Sequence, residues 1–221
     1  MSEPYADLPQ PVAIIFDLDG TLVDTVETRI RAWLQVFAEE GIPAHRRQVA
    51  DLIGSDGRRL ASEVAAAAGM TIAPGRAEAI DARCGAIFAS LNREPQQLPG
   101  VAALLDRLAV AAIPWAIATS SRRDQVAASV DALRLPRPPL IVDGTHVAHA
   151  KPAPDLLLRA ARELDADPAL CWYVGDATWD MLASVAAGMP GVGVTSGAVD
   201  AATLFAAGAT RVVASLADLE I

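Results

Sequence analysis

Two carboxylates one residue apart, Asp17 and Asp19, follow the apolar run Val12-Ala13-Ile14-Ile15-Phe16. Carboxylates are rarely buried without a partner, and a close pair repels itself unless a cation lies between them. Three further polar groups stand in comparable places. Thr119 and Ser120 follow the run Trp115-Ala116-Ile117-Ala118, Lys151 comes shortly after Leu140-Ile141-Val142, and Asp176 follows Cys171-Trp172-Tyr173-Val174-Gly175. Asp180, four residues beyond Asp176, falls one helical turn away on the same face. Among the 18 lysine and arginine residues Lys151 is the single lysine, which marks it as a position that needs an ammonium.

These residue types suit one chemistry. Asp17, Asp176 and Asp180 offer hard oxygen ligands, and a small protein ligand set completed by water and substrate suits Mg²⁺. Lys151, Thr119 and the backbone around Ser120 form a cage for a phosphoryl dianion. A carboxylate beside that group can attack it to give an aspartyl phosphate. Asp19 is placed to protonate the leaving oxygen and then to deprotonate water.

The elements that must position these groups alternate. Strands are expected at 12–16, 115–118, 140–142, 171–174, 191–194 and 211–213. Helices are expected at 101–111, 123–133, from Lys151 to about Leu164, at 177–187 and at 215–220. Short links between β and α elements imply a doubly covered parallel sheet, a Rossmann-like α/β core, with ligands at the carboxyl ends of the strands. Between 24 and 95 nothing alternates like a strand. Ile30, Trp33, Leu34, Phe37 and Ala38 recur at helical spacing after a cap at Asp24 or Thr25, and further helices are expected at 45–53, 57–68 and 75–91. The expected division is a core of 1–23 with 96–221, and an inserted all-helical cap of 24–95.

The four clusters, taken in order, resemble the haloacid dehalogenase superfamily: Asp17-Leu-Asp19-Gly-Thr21, Thr119-Ser120, Lys151-Pro-Ala-Pro-Asp155, and Gly175-Asp176 followed by Asp180. The helical insertion resembles the subgroup that includes phosphoglycolate phosphatase and β-phosphoglucomutase. The resemblance implies Asp17 as nucleophile and metal ligand, and Asp19 as acid/base with its carbonyl on the metal. It implies Thr119 and Lys151 on the phosphoryl group, Asp176 on Mg²⁺, and Asp180 as either ligand or support. The expected activity is Mg²⁺-dependent hydrolysis of a small phosphorylated metabolite, with a sugar phosphomutase as the alternative. Asp19 argues against the dehalogenase branch, and a cap without lysine excludes Schiff-base phosphonate cleavage. A receiver-type signalling domain would place its acceptor on a later strand and carry no cap.

Arg58 and Arg59, in a loop with Gly54 and Gly57, are the candidates for gripping an anionic substrate tail. Arg122 and Arg123 are expected on a solvated face. Asp155 is expected to serve the helix start, Trp179 to pack, and His45, His146 and His149 to lie at the surface. Cys84 and Cys171 lack metal or disulfide spacing and are expected as buried thiols. A net charge of −9 argues against nucleic acid. No apolar run is long enough to span a bilayer, and Met1 to Gln10 carries no basic residue, so a cytoplasmic protein without membrane contact is expected.

Overall fold

The computed structural model describes residues 8–221. Met1 to Gln10, ahead of the first strand, thus lies largely outside the described residues. What is described of it docks on the core, because Trp172 Nε1 donates to the Pro9 carbonyl at 3.0 Å.

Six strands build one parallel sheet: β1 (Ala13–Phe16), β2 (Trp115–Ala118), β3 (Leu140–Val142), β4 (Cys171–Gly175), β5 (Gly191–Val194) and β6 (Arg211–Val213). Their spatial order is β3-β2-β1-β4-β5-β6, so the chain reverses direction across the sheet beside β1. That reversal opens a crevice at the carboxyl ends of β1, β2 and β4. All four β1 residues are buried, as an apolar run without alternation requires. Ile14 and Phe16 face one apolar cluster with Trp172 and Val174, while Ala13 and Ile15 face another with Cys171 and Tyr173. Each large side chain so buried contributes about 1.5–3 kcal/mol.

The helices that cover the sheet are α5 (Val101–Ala111), α6 (Arg123–Ala132), α7 (Asp155–Glu163), α8 (Thr178–Ala187) and α9 (Ala201–Ala206). Between β1 and α5 lie α1 (Val26–Glu39), α2 (Arg46–Ala50), α3 (Gly57–Ala67) and α4 (Pro74–Leu91). These four share their own apolar cluster, with Ile30, Trp33, Phe37, Leu60, Val64, Ile80 and Phe88 at its centre. Trp33 stacks on Phe37 with ring centroids 5.4 Å apart.

Four expectations need correction. The helix expected from Lys151 begins at Asp155, because Pro152 and Pro154 disfavour helical geometry in the residues before them. Asp155 then occupies its first turn. The helix α9 was not expected. Only Leu204 in it is buried, so it leaves no apolar stripe, and it is started instead by Asp200, whose carboxylate accepts from Thr203 N–H. The expected helix at 215–220 shrinks to a 3₁₀ turn, Leu216–Asp218. The segment expected as helix over 45–53 is helical only over Arg46–Ala50. Cys84 and Cys171 are buried free thiols.

Candidate active site

The sheet brings four motifs from separate parts of the chain to one cavity. Its walls include Asp17, Asp19, Thr119, Ser120, Lys151 and Asp176 from the sheet side. The helical insertion contributes Arg29, Trp33, Ile53, Leu60, Asp81 and Cys84.

Lys151 anchors the polar floor. It is fully buried, and its Nζ donates to Asp17 Oδ1 at 2.6 Å, Asp180 Oδ1 at 2.7 Å and the Tyr173 hydroxyl at 3.1 Å. Burial alone would push the ammonium down, but Asp17 and Asp180 outweigh it and hold its pKa above the ordinary lysine value. A fixed positive charge results. Asp180 is committed on both oxygens: Oδ1 also accepts from the Tyr173 hydroxyl at 2.9 Å, and Oδ2 accepts from Ala177 N–H at 2.9 Å. Gly175 lets this happen, since a Cβ there would stand 2.4–2.6 Å from the Asp180 carboxylate.

Asp17 and Asp176 differ from Asp180 in each keeping an oxygen open. Asp17 Oδ2 and Asp176 Oδ2 have no hydrogen bond to the described residues, while Asp176 Oδ1 accepts from Thr21 at 2.9 Å. Gly20 and Gly197 make room for Asp176 Oδ2, since a Cβ would come within 2.4 Å and 1.9 Å of it. Oxygens of Asp17, Asp176 and Asp180 lie within 4.8 Å of one another. Burial, opposed by Lys151 and reinforced by Asp180, raises the Asp17 carboxyl to about 7. Burial and the same neighbours, Asp180 and Asp17, push Asp176 well above the carboxylate range. Two desolvated, mutually repelling carboxylates with one open oxygen each are the donor set a divalent hard cation relieves. The residues present therefore fit a Mg²⁺-class ion.

Asp19 is held differently. Thr25 Oγ1 donates to its Oδ1 at 2.6 Å; Arg29 donates to Oδ2 at 2.6 Å and Ser121 Oγ to the same atom at 3.2 Å. Burial pushes this carboxyl up, yet Arg29, Thr25 and Ser121 outweigh it and hold Asp19 below its usual value. The Arg29 guanidinium also lies 3.4 Å from the Phe88 ring centroid, so its charge is fixed from two sides. Thr25 stands at the N-cap of α1 as expected, but its hydroxyl serves Asp19 and caps nothing.

At the β2 tip, Thr119 N–H is spent on the Val142 carbonyl and Ser121 N–H on Thr119 Oγ1. Ser120 Oγ donates to the Gly54 carbonyl at 3.1 Å, tying the site to the insertion. Asp56 N–H donates to the Lys151 carbonyl at 3.1 Å, and Trp179 Nε1 to the Asp51 carbonyl at 3.1 Å.

Arg58 and Arg59 are not among the residues lining this cavity. Arg58 stands at a second, neighbouring outer pocket, clamped by Asp56 at 2.6 and 3.0 Å. Arg59 pairs with Glu63 and stacks over Trp179, 4.6 Å from the ring centroid. Arg122 pairs with Glu78 of α4. The residues the sequence reading missed are Thr21, Thr25, Arg29, Asp81, Ser121, Gln125 and Tyr173. Two carried a signal. Arg29 lies four residues after Thr25, on one helical face. Asp81 interrupts the stripe Ala77, Cys84, Gly85, Phe88 with a charge.

The comparisons with known proteins follow the same pattern. Residues 14–194 match the family described as haloacid dehalogenase-like hydrolase. Hexitol phosphatase A of Escherichia coli (strain K12) is 36% identical over 174 residues, covering 79% of this chain and 78% of that one. Phosphoglycolate phosphatase of Xanthomonas campestris pv. campestris is 32% identical over 185 residues, covering 82% of each. The crystal structure of a hydrolase from Pseudomonas syringae superposes with a TM-score of 0.88 at 34% identity, over 93% of this chain and 94% of that one. The chain belongs to the haloacid dehalogenase-like hydrolases and is an enzyme of their phosphatase type.

Proposed function

We propose that this protein hydrolyses a small phosphomonoester with Mg²⁺ through an aspartyl phosphate on Asp17. The observation that carries this reading is the asymmetry of Asp17, which lines the cavity: Lys151 holds Oδ1 at 2.6 Å, while Oδ2 has no hydrogen-bond partner among the described residues. The open oxygen is the one that attacks phosphorus. As the bond from Asp17 to phosphorus forms, the bond to the leaving oxygen breaks, and Asp19 gives that oxygen a proton. Water then attacks the phosphoenzyme, Asp19 takes its proton, and phosphate leaves.

Lys151 and Thr119, with the Ser120 backbone, receive the phosphoryl oxygens. Asp17, Asp176 and the Asp19 carbonyl would hold Mg²⁺, and a bound ion supplies the charge that lets two carboxylates and a phosphoryl dianion share one site. Asp180, with both oxygens engaged, positions Lys151. Asp19, gripped by three donors, is in its base form once it has given its proton to the leaving oxygen, which is the form that water activation needs. Residues 24–95 act as the cap that closes over the site and excludes bulk water.

The test is phosphate release with Mg²⁺ across a panel of small phosphate esters, including a hexose 1-phosphate followed for isomerisation. Phosphate release by the native protein and none by Asp17→Asn is the expected result. Isomerisation outpacing release would reassign the site to a phosphomutase, and undiminished release by Asp17→Asn would reject the nucleophile.

A further inference from the structure

Apart from Asp176, which is one of the proposed metal carboxylates, the charges on the cavity walls and around its mouth pair off, with one remainder. Asp19 neutralises Arg29 at 2.6 Å, Asp56 clamps Arg58 with two contacts, and Glu78 pairs with Arg122. Lys151 is shared by Asp17 and Asp180. Asp81 alone among the cavity-lining charges of the insertion has no such partner: it forms no hydrogen bond and no ion pair within 4.0 Å to the described residues. It sits on α4, on the wall shared by the central cavity and the outer pocket. Gly57 gives it that place, since a Cβ at 57 would stand 1.9 Å from Asp81 Oδ1. Burial and the nearby Asp56, only partly offset by Arg29 and Arg58, raise its pKa to about 6. A half-buried acceptor left unpaired on the wall of a binding cavity is satisfied by water or by the donors of a ligand.

We infer that Asp81 selects the substrate's tail: it accepts hydrogen bonds from an uncharged, hydroxylated tail and repels a carboxylate or second phosphate. The inference rests on the phosphatase reading and adds the substrate class, a polyol or sugar monophosphate. Hydroxyls supply the donors that Asp81 lacks. An anionic tail finds no free cation here, because each arginine at the wall and the mouth already has its own carboxylate. Gln125, on the facing core helix, offers a second polar group to such a tail. A site built to bond hydroxyls discriminates strongly against ligands that leave its acceptor unpaired.

The test compares kcat/KM for sorbitol 6-phosphate, phosphoglycolate and p-nitrophenyl phosphate in the native protein and in Asp81→Asn. The native protein is expected to prefer sorbitol 6-phosphate over phosphoglycolate by about 10-fold or more. In Asp81→Asn that ratio falls by about 10-fold, the polyol ester losing through KM while phosphoglycolate gains, a pair of opposite changes that general damage would not produce. Should the variant fail to fold, the native preference still decides. A native preference for phosphoglycolate, or for glucosamine 6-phosphate over glucose 6-phosphate by a similar factor, would overturn the inference, as would an unchanged ratio in a folded variant. Hydrolysis of p-nitrophenyl phosphate keeps those failures separate from failure of the phosphatase reading. Release from no ester at all would reject both.

Discussion

The two walls of the cavity are built on opposite rules. On the sheet side, charges interlock: Lys151 binds Asp17, Asp180 and Tyr173, Thr21 binds Asp176, and every one of these side chains is buried. On the helical side, two ion pairs reach across to the core, Arg29 with Asp19 and Glu78 with Arg122, and a carboxylate at position 81 is left unmatched. The first wall is rigid because each polar group sits where removing a neighbour strands a buried charge. The second has spare hydrogen-bonding capacity, as a wall that must accept a variable ligand requires. On the proposed reading, phosphoryl chemistry falls to the first wall and substrate selection to the second.

The contrast is broken most severely at the sheet wall. Asp17→Asn should lower phosphate release by about 10³-fold or more, read as kcat with a good small ester, because an amide replaces the attacking carboxylate. Lys151→Ala should cost about 3–5 kcal/mol of stability, measured by urea unfolding, since it strands Asp17 and Asp180 together.

Across the two walls, Arg29→Met should raise the Asp19 pKa, because the cation opposing burial is gone. The measurement is the pH profile of kcat/KM, whose limb for Asp19 as base should move upward. An unmoved profile would show that Arg29 does not govern the acid/base.

The metal arm depends on pH with a definite sign. Asp17, raised to about 7 in the folded chain, binds a proton more tightly there than when unfolded, so the metal-free protein loses stability as pH rises from about 4 through 7. A divalent cation binds the deprotonated pair and competes with those protons. The rise in Tm on adding Mg²⁺ should therefore grow between pH 5 and 8, and a constant increment would place the ion elsewhere. The smallest effect belongs to the outer arginines. Arg59→Ala, an exposed pair stacked on Trp179, should cost about 0.5–1 kcal/mol by thermal unfolding.

Much of the sheet wall was legible in the sequence because strand tips in a parallel sheet must converge. Asp17, Thr119, Lys151 and Asp176 each follow an apolar run, and a shared carboxyl edge is then a consequence of topology. The helical wall was less legible. Arg58 and Arg59 look available in a glycine-bearing loop, yet Asp56 and Glu63 occupy them, and pairing partners are chosen by helix rotation and packing. Arg29 and Asp81 look like ordinary helical charges until α1 and α4 pack and turn them inward.

By itself, then, the sequence determined which residue types arrive at the sheet edge and in which order, since hydrophobic runs dictate strands and short links dictate parallel crossovers. The tertiary structure alone decided how those charges are matched. Asp180 takes Lys151 and so leaves the open oxygens to Asp17 and Asp176, and Asp81 remains without a cation. Both outcomes depend on distances of a few ångströms between segments remote in the chain, where Coulomb energy and desolvation change faster than any sequence pattern records.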